Sequence, residues 1–186
     1  ELAVNKLYGL MTQDATYSRD IPIVLSTNSD CELVDGLGTD ANNTTHERGA
    51  MNYNVSPGWS KLSNVWDAMY SIIENANLIV EGINKSPLLT SGDSDQRAME
   101  RFKGEALTIR AMVYFDLIRL FGDIPYKSES SNPDLGNVYL GKSDRDVIMD
   151  ELIKDLETAI TLLPWAGEVS AYTTERVTKG YAHSLL

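Results

Sequence analysis

At 186 residues, with 42% hydrophobic and 23% charged side chains, the chain is long enough to bury one ordinary core without disulfide or metal staples. Its 27 Asp and Glu against 16 Lys and Arg give a net charge of −11, which opposes nucleic acid and anionic lipid as partners, since their phosphates are met by cations. Cys31 stands alone, which excludes an internal disulfide and a site of several thiolates and reads as a small buried hydrophobe. No run of about 18 apolar residues occurs, and the opening ELAVNKLYGL lacks a basic segment followed by an apolar one.

A short helix is expected over Leu2–Met11. Between it and Leu62 lie about fifty residues rich in Asn, Asp, Thr and Gly with little helical periodicity, and loops of that length are usually functional or disordered. Within them, IPIVL at Ile21 to Leu25 is compatible with a short extended segment or a turn of helix. From Leu62 the apolar positions Leu62, Trp66, Met69, Ile73, Ala76, Val80 and Ile83 recur at steps of four and three, and Val65, Ile72 and Ile79 form a second seam. Two seams on one helix require neighbours on two sides. Ser63 or Asn64 supplies the expected start, and Pro87 ends the helix by biasing Ser86 away from helical angles.

The next segment repeats this design. Phe102, Ala106, Ile109, Val113, Leu117 and Leu120 make one stripe and Leu107, Ala111, Tyr114, Ile118 and Phe121 another, with Ala106 and Ala111 small enough to admit a close neighbour. Gly122 supplies a left-handed terminus and Pro125 prevents continuation. A third long helix is expected from a Ser143 cap through Ile148, Leu152, Leu156, Ala159 and Leu163 to Pro164. A fourth begins after Thr174, with Val177, Tyr181 and Leu185 on one face, and meets no stop signal before Leu186. The expected class is all-α: antiparallel helix hairpins stacked as an α-solenoid, with a repeat longer than the ~34 residues of a tetratricopeptide unit and long irregular loops between helices.

Four blocks then follow in order: VWDAMYSIIENANLIVEGI (65–83), FKGEALTIRAMVYFDLIRLFGDIPY (102–126), RDVIMDELIKDLETAITLLP (145–164) and RVTKGYAHSLL (176–186). Together they closely resemble the N-terminal half of the SusD/RagB family, outer-membrane glycan-capture lipoproteins of Bacteroidota, and AVNKLYGL resembles the family's opening. The second block, with Gly-Glu-Ala, Arg-Ala and the Phe-Gly-Asp-Ile-Pro ending, is the most specific. The resemblance implies tetratricopeptide-like helix pairs, a SusD-like α/α superhelix. It makes residues 1–186 the N-terminal helical domain of a longer protein whose irregular C-terminal part lies beyond this chain. It also implies an oligosaccharide ligand, no cofactor and no catalysis. The implied partner is a TonB-dependent, SusC-like transporter, and attachment to the outer face of the outer membrane runs only through a lipid anchor upstream. Cys31 does not suit that anchor, because STNSD before it lacks the apolar, small-residue character of a lipoprotein cleavage site.

Sugar recognition needs flat aromatic faces for pyranose C–H surfaces and planar polar groups for the hydroxyls at the ring edge. The segment HERGAMNYNVSPGWSK (46–61) carries both. Tyr53 and Trp59 are the expected stacking platforms, with Arg48, Asn52 and Asn54 as hydroxyl partners; the alternative for Trp59 is packing beneath the loop. Trp66 and Tyr70 lie on the apolar seam and read as core. Trp165, after Pro164, either caps the core or stands exposed.

Arg110 interrupts an apolar face, with Glu105 and Asp116 nearby, and demands an ion-pair partner from another helix. The acids of DSD (93–95) and DRD (144–146) suit helix N-termini more than a glycosidase pair. His46 and His183 lack zinc-ligand spacing, and a calcium among the Asp and Asn residues has no recognisable loop behind it. The sequons at Asn42, Asn43 and Asn54 carry little meaning in a bacterial protein. The rival readings are a helical-repeat scaffold that binds protein without sugar and, third, a glycoside hydrolase.

Overall fold

The computed structural model describes residues 1–22, 58–170 and 175–186. Among them the regular structure is α-helical: α1 Leu2–Met11, α2 Ser60–Asn84, α3 Ser94–Phe121, α4 Arg145–Leu162 and α5 Lys179–Leu185. The only β feature among the described residues is an isolated antiparallel bridge between Ile124 and Ser143. The all-α class expected from the sequence is what forms. The chain divides into two compact units, Gly9–Tyr70 and Glu1–Tyr8 with Ser71–Leu186.

In the larger unit, consecutive helices run antiparallel. Lys103 reaches Asn84 at 2.8 Å and Arg110 reaches Asn77 at 2.7 Å, so α3 advances as α2 recedes. Likewise a Cβ on Gly104 would meet Leu163, while Arg110 pairs with Asp155, which sets α4 antiparallel to α3. Between α2 and α3, Ser86 is extended (φ −80°, ψ 131°), as the following proline requires, and its hydroxyl caps the 3₁₀ turn Pro87–Thr90.

α3 is the centre of this unit. Every residue from Gly104 to Tyr114 is buried, with Asp116 and Leu117 beyond, so the helix is enclosed all round rather than along two stripes. Gly104 makes this possible: an added Cβ would lie 2.8 Å from Leu163 Cγ and 3.3 Å from Leu162 Cβ, so α4 packs against bare backbone there. Gly122 ends the helix at φ 73°, ψ −127°, a conformation open to glycine alone, and its N–H donates to Ile118 O at 2.9 Å.

The starts of α2, α4 and α5 differ from the expected ones, while α3 is capped by Asp93 of the DSD motif, as expected. Ser63 and Asn64 lie inside the first turn of α2, which begins at Ser60, and the Ser63 hydroxyl donates back to Ser60 O at 2.9 Å. α3 starts well ahead of its apolar stripe because Asp93 accepts from the N–H groups of Asp95 and Gln96. Asp144, rather than Ser143, caps α4 through Asp146 N at 2.8 Å. Ser143 instead donates its N–H to Ile124 O at 2.9 Å, closing the loop before the helix. α5 begins at Lys179, later than expected, with Thr178 at its N-cap and Val177 buried ahead of it.

In the smaller unit, Thr16 ends the helical run: its hydroxyl lies 2.8–3.0 Å from the carbonyls of Leu10, Met11 and Gln13, with φ −126°, ψ −127° at its own backbone. Asp20 is 4% exposed, and Arg19 and Lys61 meet it at 2.9 and 3.3 Å. Burial works against its charge, yet these cations hold its pKa below the ordinary carboxylate value. Trp66 and Tyr70 are half-buried, their rings 4.8 Å apart, rather than fully in the core. Ile21 is buried and Pro22 exposed; Ile23 to Leu25 lie outside the described residues.

Candidate functional site

Of the residues expected to contact sugar, Arg48, Asn52, Tyr53 and Asn54 lie outside the described residues. Trp59 immediately precedes α2 and is 3% exposed, which is the packed placement; a stacking platform needs an open ring face, and this ring has none. Cys31 and His46 also lie outside the described residues.

The motifs that stand out in the sequence hold the larger unit together. Glu105, fully buried, accepts from Arg176 Nη2 and Nε at 3.0 and 3.1 Å and from the Tyr8 hydroxyl. Tyr8 Oη in turn accepts from Val177 N at 2.9 Å, and Arg176 lies over the rings of Tyr8 and Phe102. Burial first, then the Glu105 carboxylate, push the Tyr8 phenol above its ordinary pKa, so it stays a proton donor. One carboxylate thus joins α1, α3 and the approach to α5.

Arg110 makes the second such node. Neither Glu105 nor Asp116 is its partner: it forms a two-pronged pair with Asp155 of α4, Nε to Oδ2 at 2.8 Å and Nη2 to Oδ1 at 2.7 Å. Nη1 donates to Asn77 Oδ1 and to Ser128 O, at 2.7 and 3.0 Å. Asp116 is matched on its own helix by Arg119 at 3.1 Å. The expectation of an inter-helix ion pair holds; only its partner was out of reach, because Asp155 lies 45 residues along the chain.

These nodes position a long loop, from Gly122 to Asp144. Tyr114 Oη both donates to Lys127 O and accepts from Lys127 N, each at 3.0 Å. Glu74 accepts from Ser131 N at 2.7 Å and from the Lys127 ammonium, and Glu81 accepts from the backbone and hydroxyl of Ser130. Asn137 closes the far side, donating to Ser130 O and accepting from Asn132 N, both at 2.7 Å. Because its polar groups turn inward, the loop shows apolar side chains to solvent: Tyr139 is 94% exposed and Leu135 57%, with Val138 and Leu140 also exposed. Sequence reading passed over this loop; its only signal was the Ser, Asn and Gly content that also marks ordinary turns.

No group of three or more His, Cys, Asp or Glu among the described residues is placed to hold a metal ion. None of the described helices is long and apolar enough to cross a membrane.

A family model for SusD-like proteins, described as "Starch-binding associating with outer membrane", matches residues 4–186. SusD-like protein P25 of Formosa agariphila is 28% identical over 155 residues, 83% of this chain and 27% of that protein. A SusD homologue from Bacteroides thetaiotaomicron superposes with a TM-score of 0.84 at 24% identity, covering 98% of this chain and 34% of that one. A laminarin-binding SusD-like protein superposes with a TM-score of 0.75 at 21% identity, covering 99% of this chain and 37% of that one. These superpositions establish the shared helical fold. The chain spans roughly a third of the length of the proteins it matches. On the extent of the family match, which covers all but the first three residues, the chain belongs to the SusD-like family.

Proposed function

We propose that this chain is the helical part of a cell-surface glycan-binding protein that captures oligosaccharide and passes it to a TonB-dependent, SusC-like transporter. The observation that carries the reading is the family match over residues 4–186, whose description joins starch binding to the outer membrane. The similar laminarin-binding protein supports a polysaccharide ligand. In this reading a lipid anchor upstream of the chain holds the protein at the outer face. Binding makes and breaks no bond: Tyr53 stacks on a sugar ring while Arg48, Asn52 and Asn54 meet its hydroxyls. The test is calorimetric titration of the full-length protein with malto- and laminari-oligosaccharides. Saturable heat is expected; no heat across the panel removes the support for glycan capture, and release of reducing sugar points to hydrolysis instead.

The second reading, a protein-binding scaffold, draws on the loop from Gly122 to Asp144. Its base is pinned to α2 through Glu74 and Glu81 while Leu135, Val138, Tyr139 and Leu140 face outward, a rigid apolar ridge suited to another protein. The two readings are compatible, because the ridge and the sugar-contacting segment occupy different parts of the sequence.

A further inference from the structure

A saccharide platform needs an aromatic ring that is held in place on one side and open on the other. Among the described exposed aromatics, most fail one half of this condition. Phe115 has the Arg119 guanidinium 5.4 Å from its centroid and also lines an apolar cleft with Met149, Ile153 and Leu186, so its ring is engaged from more than one direction. The Tyr181 hydroxyl is engaged with Met112 Sδ at 2.8 Å. Tyr139 is 94% exposed, so almost none of its surface packs against the described protein.

Trp165 meets both halves. It is 46% exposed, and its ring lies parallel to that of His183, 5.7 Å between centroids at an interplanar angle of 15°. Lys179 Nζ is 6.0 Å from the ring, and Gly180 passes so close that a Cβ there would stand 3.4 Å from the indole. These three residues belong to α5, so one side of the ring rests on that helix. The turn that carries the indole is itself fixed: Trp165 N donates to the Glu168 carboxylate at 2.8 Å, Glu168 N to Trp165 O, and Lys179 N to Pro164 O at 2.8 Å.

One residue along the chain, Pro164 lines a shallow depression of about 200 Å³ together with Leu162, Leu163 and Val169 and with Arg97, Glu100 and Arg101 of α3. A guanidinium and a carboxylate beside apolar side chains are the groups that meet the hydroxyl edge and the C–H face of a pyranose.

We propose that Trp165 is a saccharide-stacking platform on the helical array, with Arg97 and Glu100 of the depression next to Pro164 as hydroxyl partners. This rests on the glycan-binding reading. The depression accommodates about one sugar unit, so the contact is a subsite for an extended chain.

The full-length protein is titrated with maltoheptaose and laminarihexaose by calorimetry, as wild type and as Trp165→Ala, Trp165→Phe, Arg97→Ala and Tyr53→Ala. In parallel the indole N–H signals of the three tryptophans are followed by NMR in the wild type and assigned with Trp165→Phe. The expected result is roughly tenfold weaker binding for Trp165→Ala, near wild-type binding for Trp165→Phe, a few-fold loss for Arg97→Ala, and a shift of the Trp165 indole signal on saturation. The NMR arm needs no destabilised variant, so a Trp165→Ala protein that fails to fold leaves the question decidable. If the Trp165 signal stays still while wild type binds and Tyr53→Ala weakens it, the platform is refuted and glycan capture stands. If wild type binds neither sugar, the glycan reading for these ligands fails and the platform with it.

Discussion

Replacing Arg110 by Met removes a charge from a place where its partners have no substitute. The Arg110 side chain is 5% exposed and that of Asp155 13%, so water cannot take over the freed carboxylate. The substitution also strands Asn77 Oδ1 and Ser128 O, which accept from Nη1 at 2.7 and 3.0 Å. Breaking a buried pair by removing one member costs about 3–5 kcal/mol, because the remaining charge stays desolvated. For a chain of this size each kcal/mol lowers Tm by roughly 2–4 °C, so the melting temperature falls by roughly 6–20 °C. Removing both charges is a different perturbation: Arg110→Met with Asp155→Leu leaves no buried ion, and only the Asn77 and Ser128 acceptors remain unmatched, a loss of about 1–3 kcal/mol. The double variant is therefore expected to be more stable than Arg110→Met alone. Guanidinium denaturation followed by far-UV circular dichroism measures the losses of Arg110→Met, Asp155→Leu and the double variant. A single variant that loses under about 1 kcal/mol, or a double variant whose loss equals the sum of the two singles, refutes the assignment of this pair as a desolvated node.

At Gly104 two effects oppose each other. Alanine gains about 1 kcal/mol of helix propensity, but its Cβ meets Leu163 at 2.8 Å, and that side chain is 2% exposed with little room to yield, so overpacking of about 1–3 kcal/mol prevails. Thermal melts are expected to show Gly104→Ala below wild type, and its cost to shrink in a Leu163→Ala background; a stabilised Gly104→Ala overturns the close-packing argument. The loop anchors respond to pH. Hydrogen bonds from the Ser130 backbone and hydroxyl lower the Glu81 pKa against modest burial, and at Glu74 burial is outweighed by Lys127 and Ser131. With folded values depressed, these carboxylates contribute stability above the ordinary Glu value of about 4.3 and lose it as pH falls through their lower folded values. The Ser130 and Ser131 amide signals in NMR are expected to titrate with midpoints below about 4.3; midpoints at or above it contradict the anchoring.

Helix existence was legible because burial on a helix leaves a period in the chain. α1, α2, α3 and α4 each show it, and each forms close to where the pattern lies. What escaped was set by single polar groups with several possible partners. Ser143 and Asp144 both qualify as caps for α4; the bridge to Ile124 occupies the Ser143 N–H and leaves Asp144 to cap. Arg110 announced that it needed an acid, but the two nearby acids were the wrong ones, since Arg119 meets Asp116 and Arg176 meets Glu105. Partnerships across 45 or 71 residues are decided by how helices stack, and no local spacing encodes that.

The same contrast explains why family membership was readable and the ligand was not. Gly104, Glu105, Arg110, Tyr114 and Arg176 are fixed by packing: each is buried or bonded between helices, and a change at any one disturbs several elements at once. Residues under that constraint form recognisable blocks. Saccharide contact imposes a looser demand, an open ring face with planar polar groups beside it, which surface loops of many compositions can satisfy. Trp59 and Trp165 illustrate the cost of that looseness. By residue type and setting both qualify, Trp59 within the polar loop and Trp165 in a turn after proline; yet the first is 3% exposed and the second 46%. Only burial separates a packed ring from one with an open face, and burial depends on what the rest of the fold places above it.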